Sequence, residues 1–98
     1  MVTEQQVMEY FDKKYDRSIP HRLIKFREEV KELDMAAIFC SMKRNPTAED
    51  KALFLDEVSD TLTAIAHIGH ILGHSALELM NMAYEKNRIR ETNPNYKR

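Results

Sequence analysis

The chain has only two glycines and three prolines in 98 residues. A sandwich or barrel turns about every 8–12 residues and needs more of both, so the scarcity argues against those folds. It predicts few turns and long helices instead. The single cysteine, Cys40, excludes an internal disulfide and suits a reducing compartment. No apolar run approaches the ~18 residues of a membrane span. The N-terminus lacks a basic start followed by an apolar stretch, so no signal peptide is expected. The formal net charge is −1, which advertises neither a nucleic-acid partner nor a membrane surface. Together these features point to a cytoplasmic protein. Two glycines leave no P-loop, the nucleophile pattern G-x-S-x-G is absent, and no H-E-x-x-H is present.

What is present is a helical pattern. Hydrophobic residues make up 43% and charged residues 32%, the proportions of an ordinary folded domain, and the length suggests a single domain over residues 1–98. A chain this short buries only about 60–65% of its unfolded surface, so its own core is thin and oligomerisation is a natural supplement. A first helix is expected over about 3–15, with Val7, Tyr10, Phe11 and Tyr15 at helical spacing and a capping box from Thr3 and Gln6. Pro20 disfavours helix at Ile19, and Ser18 suits the N-cap of a second helix over 21–42. Its apolar stripe reads Leu23, Phe26, Val30, Leu33, Ala37 and Cys40. After a polar loop over 43–46, Thr47 and Asp50 open a third helix over 48–72. Its core stripe is expected at Leu55, Val58, Leu62, Ile65 and Leu72, with Ile68 nearby. Gly73-His74-Ser75 breaks the chain, and Ser75 with Glu78 caps a fourth helix over 75–90 with Leu77, Met80, Met82 and Tyr84 inside. Pro94 stops it, leaving a polar tail over 91–98.

The most informative stretch is Glu28-Glu29-Val30-Lys31-Glu32. Glu29 and Glu32 lie about 60° apart on one helical face, where like charges repel. Glu57 and Asp60 repeat the spacing on the third helix. Each pair flanks an apolar stripe, so antiparallel packing of the two helices brings four carboxylates together at a spot that needs a cation. Four carboxylates without a thiolate or a Cys-His set suit Mg²⁺ or Mn²⁺ better than zinc, and such a metal binds polyphosphates and activates water. Lys86, Asn87 and Arg90 are candidate phosphate ligands, although cations near a helix C-terminus also have a purely structural use. A competing metal face is His67, His70 and His74, at i, i+3 and i+7. Cys40 reads as core.

An E-x-x-E pair and an E-x-x-D pair about two dozen residues apart on helices, followed by K-N-x-x-R, resemble the signature of the MazG-like all-α nucleoside triphosphate pyrophosphohydrolases. The resemblance covers roughly residues 19–90 and rests on Glu29-Val30-Lys31-Glu32, Glu57-Val58-Ser59-Asp60 and Lys86-Asn87 with Arg90. It implies an all-α four-helix MazG-like bundle completed by oligomerisation, as a homodimer or a tetramer made of two dimers. It implies Mg²⁺ held by Glu29, Glu32, Glu57 and Asp60. The implied reaction cleaves a nucleoside triphosphate between the α- and β-phosphates to a monophosphate and pyrophosphate. Glu28 is implied to orient or deprotonate the attacking water, and Lys86, Asn87 and Arg90 to touch phosphate or sugar. Phosphoribosyl-ATP pyrophosphohydrolases share the acidic pairs, and dimeric dUTPases are longer relatives. A non-catalytic helical oligomerisation or adaptor module, and a histidine metal-binding protein, are the readings from other classes.

Overall fold

The computed structural model describes residues 1–42 and 45–95, with the side chains of Ser41 and Met42 left aside. Lys43 and Arg44 of the expected loop, and 96–98 of the expected tail, lie outside the described residues. Four helices follow one another: α1 (Glu4–Lys14), α2 (Ile19–Met42), α3 (Ala48–Ile71) and α4 (Ala76–Glu91). Among the described residues there is no strand, and no helix is long and apolar enough to cross a membrane.

Local chemistry sets the boundaries. Thr3 with Gln6, Thr47 with Asp50, and Ser75 with Glu78 each form a complete capping box, so three helix starts were legible in the sequence. α2 begins earlier than expected. Ser18 does accept from the His21 backbone N–H, but Ile19 and Pro20 are already helical. Pro20 fits there because the first turn of a helix asks no hydrogen bond of its backbone N–H groups. α3 closes in a Schellman motif: His74 N–H donates to Gly69 O and Gly73 N–H to His70 O, both at 2.9 Å. Gly73 has φ +89°, a conformation that glycine alone enters without strain.

α2 and α3 pack against each other along their length as an antiparallel hairpin. Among the described residues α1 and α4 pack chiefly on α3, with Leu79 near the start of α4 against Gly69. Gly69 permits that approach, since a β-carbon there would stand 2.5 Å from Leu79 Cδ1. Glu4 joins the two flanking helices by accepting from the Ala76 backbone N–H at 2.6 Å, a carboxylate at a helix N-terminus. α1 is fixed by Asp12. His67 Nε2 meets Asp12 Oδ1 at 2.9 Å, His70 Nε2 meets Oδ2 at 3.0 Å, and Arg17 Nη1 meets Oδ2 at 2.6 Å. The hydrogen bond from His67 leads the interactions that hold the Asp12 carboxyl below its usual range. Asp12 is therefore ionised, and both imidazole Nε2 atoms donate to it.

The burial pattern corrects the expected core. In α2 the stripe from Leu23 to Cys40 is half-buried, as expected. In α3 it is one residue out of register. The row facing the rest of the chain is Phe54, Glu57, Thr61, Ala64, Ile68 and Ile71. The expected stripe of Leu55, Val58, Leu62, Ile65 and Leu72 lies about 100° round the helix and is exposed, Leu62 at 61% and Leu72 at 65%. Leu77, Met80, Met82 and Tyr84 of α4 are exposed too, and in α1 the buried residue is Met8, while Tyr10 is exposed. α3 carries two adjacent rows that both read as a core face, and sequence periodicity does not say which one its own chain covers.

The outcome is an open molecule. Its radius of gyration is 16.6 Å, against about 13 Å for a compact chain of this length. It exposes 7976 Å², about 2,000 Å² more than the surface scaling of compact monomers gives.

Removing the Asp12 carboxylate leaves the His67 N–H, in a residue only 2% exposed, without its acceptor. Asp12→Ala is expected to cost about 1–3 kcal/mol in denaturant unfolding. A lowered carboxyl contributes stability above its unfolded value and loses it as pH falls through the folded value. The variant should therefore show a shallower acid limb than wild type. Equal stability of the two proteins at neutral pH would show that Asp12 does not hold α1.

Candidate functional site

The hairpin brings the two acidic pairs together. Glu29 on α2 and Glu57 and Asp60 on α3 present carboxylate oxygens within 4.8 Å of one another. Glu32, one turn further along α2, acts on Glu57 by its charge. Glu28 is exposed and is not part of the group. The register is locked by Thr61, whose hydroxyl donates to Glu57 O at 2.7 Å and reaches Glu29 O at 3.3 Å. One side chain thus ties the backbone of both acidic segments together.

The carboxylates do not merely flank the seam; two of them are in it. Glu29 is 5% exposed, and Glu57 is half-buried. Glu29 Oε2 and Glu57 Oε2 are buried without a hydrogen-bond partner. A buried polar atom without a partner costs on the order of 1–3 kcal/mol, more when charged. The strain shows in the proton affinity of Glu57. Desolvation, then the charges of Glu32, Asp60 and Glu29, push its carboxyl above the usual range. Part of the excess charge is met by Lys25, whose Nζ lies 2.7 Å from Glu29 Oε1, and that bond raises the lysine's proton affinity.

The donor set is all oxygen, which suits Mg²⁺ or Mn²⁺ rather than a thiolate- or imidazole-seeking metal. The two orphaned oxygens would be open to such an ion. The histidine face does not offer a comparable set. His67 and His70 spend their Nε2 atoms on Asp12, and His74 Nδ1 lies 3.2 Å from Glu78 Oε2. Among the described residues the three imidazoles do not form a group within reach of one ion, whereas Glu29, Glu57 and Asp60 do.

Lys86, Asn87 and Arg90 are not brought to the acidic group within one chain. They are exposed on the far half of α4, which packs on α3 and not on α2. Asn87 Nδ2 donates to Ala83 O on its own helix.

Two hollows adjoin the carboxylates. One, of about 420 Å³, lies between α1, α2 and α3 and is lined by Glu29 and Asp60 together with Tyr15, Arg22, Lys25 and His67. The other, of about 410 Å³, is more apolar and is lined by Glu32 and Glu57 with Met35, Phe39, Cys40 and Leu53. Sequence reasoning passed over Arg22 and Lys25, though the signal was there. Positions 22, 25, 29 and 32 fall on one face of α2 at helical spacing. It also passed over Asp12, whose partners are more than fifty residues away, at a separation that periodicity does not address.

A carboxyl with a raised folded value loses its contribution to stability as pH rises through that value. Glu57→Gln, which removes the charge and keeps the shape, is expected to be more stable than wild type at neutral pH. Its advantage should shrink on acidification, as the wild-type carboxyl takes up its proton. Thermal unfolding across pH 4–8 measures this, and a variant less stable than wild type at pH 7 would refute it.

No protein-family model, no curated protein and no solved structure matches the chain.

Proposed function

We propose that the protein is a Mg²⁺-dependent nucleotide pyrophosphohydrolase of the MazG-like kind. On this reading it cleaves a nucleoside triphosphate between the α- and β-phosphates to a monophosphate and pyrophosphate. The observation that carries the reading is the pair of orphaned carboxylate oxygens, Glu29 Oε2 and Glu57 Oε2, buried beside Asp60 where two long helices meet. Buried carboxylates crowded together without a counter-charge destabilise a fold unless they serve a bound cation.

Mg²⁺ bound here would supply neutralisation of phosphate charge and activation of a water. Glu29, Glu57 and Asp60 would hold the ion, with Glu32 as a fourth carboxylate beside them. Thr61 keeps the two acidic segments in register. Lys25, bonded to Glu29 Oε1, lines the cavity beside the acidic group and would offer its ammonium to a phosphate there. Glu28, exposed at the edge of the acidic segment, is the residue to orient or accept a proton from the attacking water.

The working unit on this reading is a homodimer or a tetramer made of two dimers. The exposed row of Leu55, Leu62 and Leu72 and the exposed Leu77, Met80 and Tyr84 are the surfaces a second copy covers. An intimate dimer buries about 2,000–5,000 Å² in total, which the excess surface of each chain is large enough to supply. On this reading Lys86, Asn87 and Arg90 serve the acidic group of a second subunit.

The test is a panel assay with each common NTP and dNTP, and with phosphoribosyl-ATP, in the presence of Mg²⁺ or EDTA. Monophosphate and pyrophosphate are expected from a subset, only with metal. Diphosphate and phosphate as products, or no turnover on any member, would overturn the assignment. Glu32→Gln and Asp60→Asn are expected to lower turnover by about two orders of magnitude or more while keeping the helical signal. Sedimentation equilibrium should give a dimer or tetramer at micromolar concentration, and a monomer would refute the proposed assembly.

A further inference from the structure

Arg22 is the residue that the fold leaves unexplained. Its side chain is nine-tenths buried, yet Nε and Nη1 have no hydrogen-bond partner. Asp16 Oδ1 is 3.9 Å from Nε, too far for a hydrogen bond. The guanidinium lies over the Tyr15 ring, 4.6 Å from its centroid, which orients it without satisfying its N–H groups. A buried guanidinium with open donors is costly unless an anion completes it. Those donors belong to a residue lining the cavity of about 420 Å³ between α1, α2 and α3. Lys14 and Lys25 line it too, and so does the Phe11 ring, which stacks with Tyr15 at 5.6 Å. The cavity therefore brings together three cations, of which Lys25 is already paired with Glu29, and two adjoining aromatic rings, in a volume that suits a nucleotide-sized ligand.

We propose that this cavity is a phosphate subsite, in which Arg22 holds the phosphates of a nucleotide whose planar ring lies against Tyr15 and Phe11. The inference rests on the hydrolase reading only for its place in a reaction. Glu29 and Asp60 line the same cavity, so the phosphates at Arg22 are next to the carboxylates that would hold the metal. Arg22 is suited to the task because its planar fork donates to two phosphate oxygens together. The phosphate contacts on this reading come from α2 of the same chain that supplies Glu29, and not from α4 alone.

The test is equilibrium binding of inorganic pyrophosphate and of the four ribonucleoside monophosphates to the intact protein, in EDTA and in Mg²⁺. Arg22→Met is expected to weaken pyrophosphate and monophosphate binding roughly 10–100-fold, and Arg22→Lys to recover part of it. Unphosphorylated nucleosides should bind both proteins alike. The Arg22 Nε–H resonance of the wild-type protein, assigned by its loss in Arg22→Met, should shift on adding pyrophosphate, a readout that needs no variant to remain active. An unmoved resonance, or equal pyrophosphate affinity in wild type and a folded Arg22→Met, would overturn the subsite. Arg22-dependent binding without turnover on any triphosphate would support the subsite and sink the hydrolase. Turnover with unchanged kcat/KM in Arg22→Met would do the reverse.

Discussion

Two carboxylates withdrawn from water in the seam between the long helices dominate this structure. Glu29 and Glu57 occupy positions that a protein built only for stability would give to leucine or alanine. Their charge is only partly met among the described residues. Lys25 meets one oxygen of Glu29, and the facing oxygens have no partner. The cost is spread over the neighbourhood, in the raised proton affinity of Glu57 and in a hairpin that relies on Thr61 to hold its register. An acidic seam also displaces apolar side chains from the interior. The leucines of α3 that would have filled it stand on the outer face.

That displacement links the local chemistry to the shape of the molecule. A hairpin with a polar seam has little core of its own, and α1 and α4 add few buried side chains to it. Much of the interior that exists is polar. His67, fully enclosed, is satisfied by Asp12, and Arg22 is held over Tyr15. Small helical proteins compensate for such a deficit by association, which covers apolar faces and thickens the core at once.

The two polar clusters at the end of the hairpin have different characters. Asp12 with His67, His70 and Arg17 is a closed set, in which each oxygen of the carboxylate is taken by a donor. Such a set fixes α1 against α3 and has no valence left for a ligand. The group of Glu29, Glu57, Asp60 and Arg22 is open, with acceptors left over on Glu29 and Glu57 and donors on Arg22, which shares a cavity with Glu29 and Asp60. Satisfied networks rigidify a fold, and unsatisfied ones are where a ligand gains its binding energy.

The sequence by itself determined the elements. Three capping boxes, a glycine at a Schellman turn and long helical periods set the helix count and most boundaries, because these signals are local and each residue meets its partner within five positions. The acidic pairs were legible for the same reason, as two repeats of a short spacing. Tertiary structure alone decided which of two adjacent rows of α3 faces inward. Leu55-Val58-Leu62 and Phe54-Glu57-Thr61 have the same period, and the choice between them depends on what α2 presents. It decided likewise that Asp12 meets His67 and His70, that Arg22 closes over Tyr15, and that the carboxylates lie in the seam rather than beside it. Those outcomes rest on contacts between residues far apart in the chain, and helical periodicity carries no information about the angle at which two helices meet.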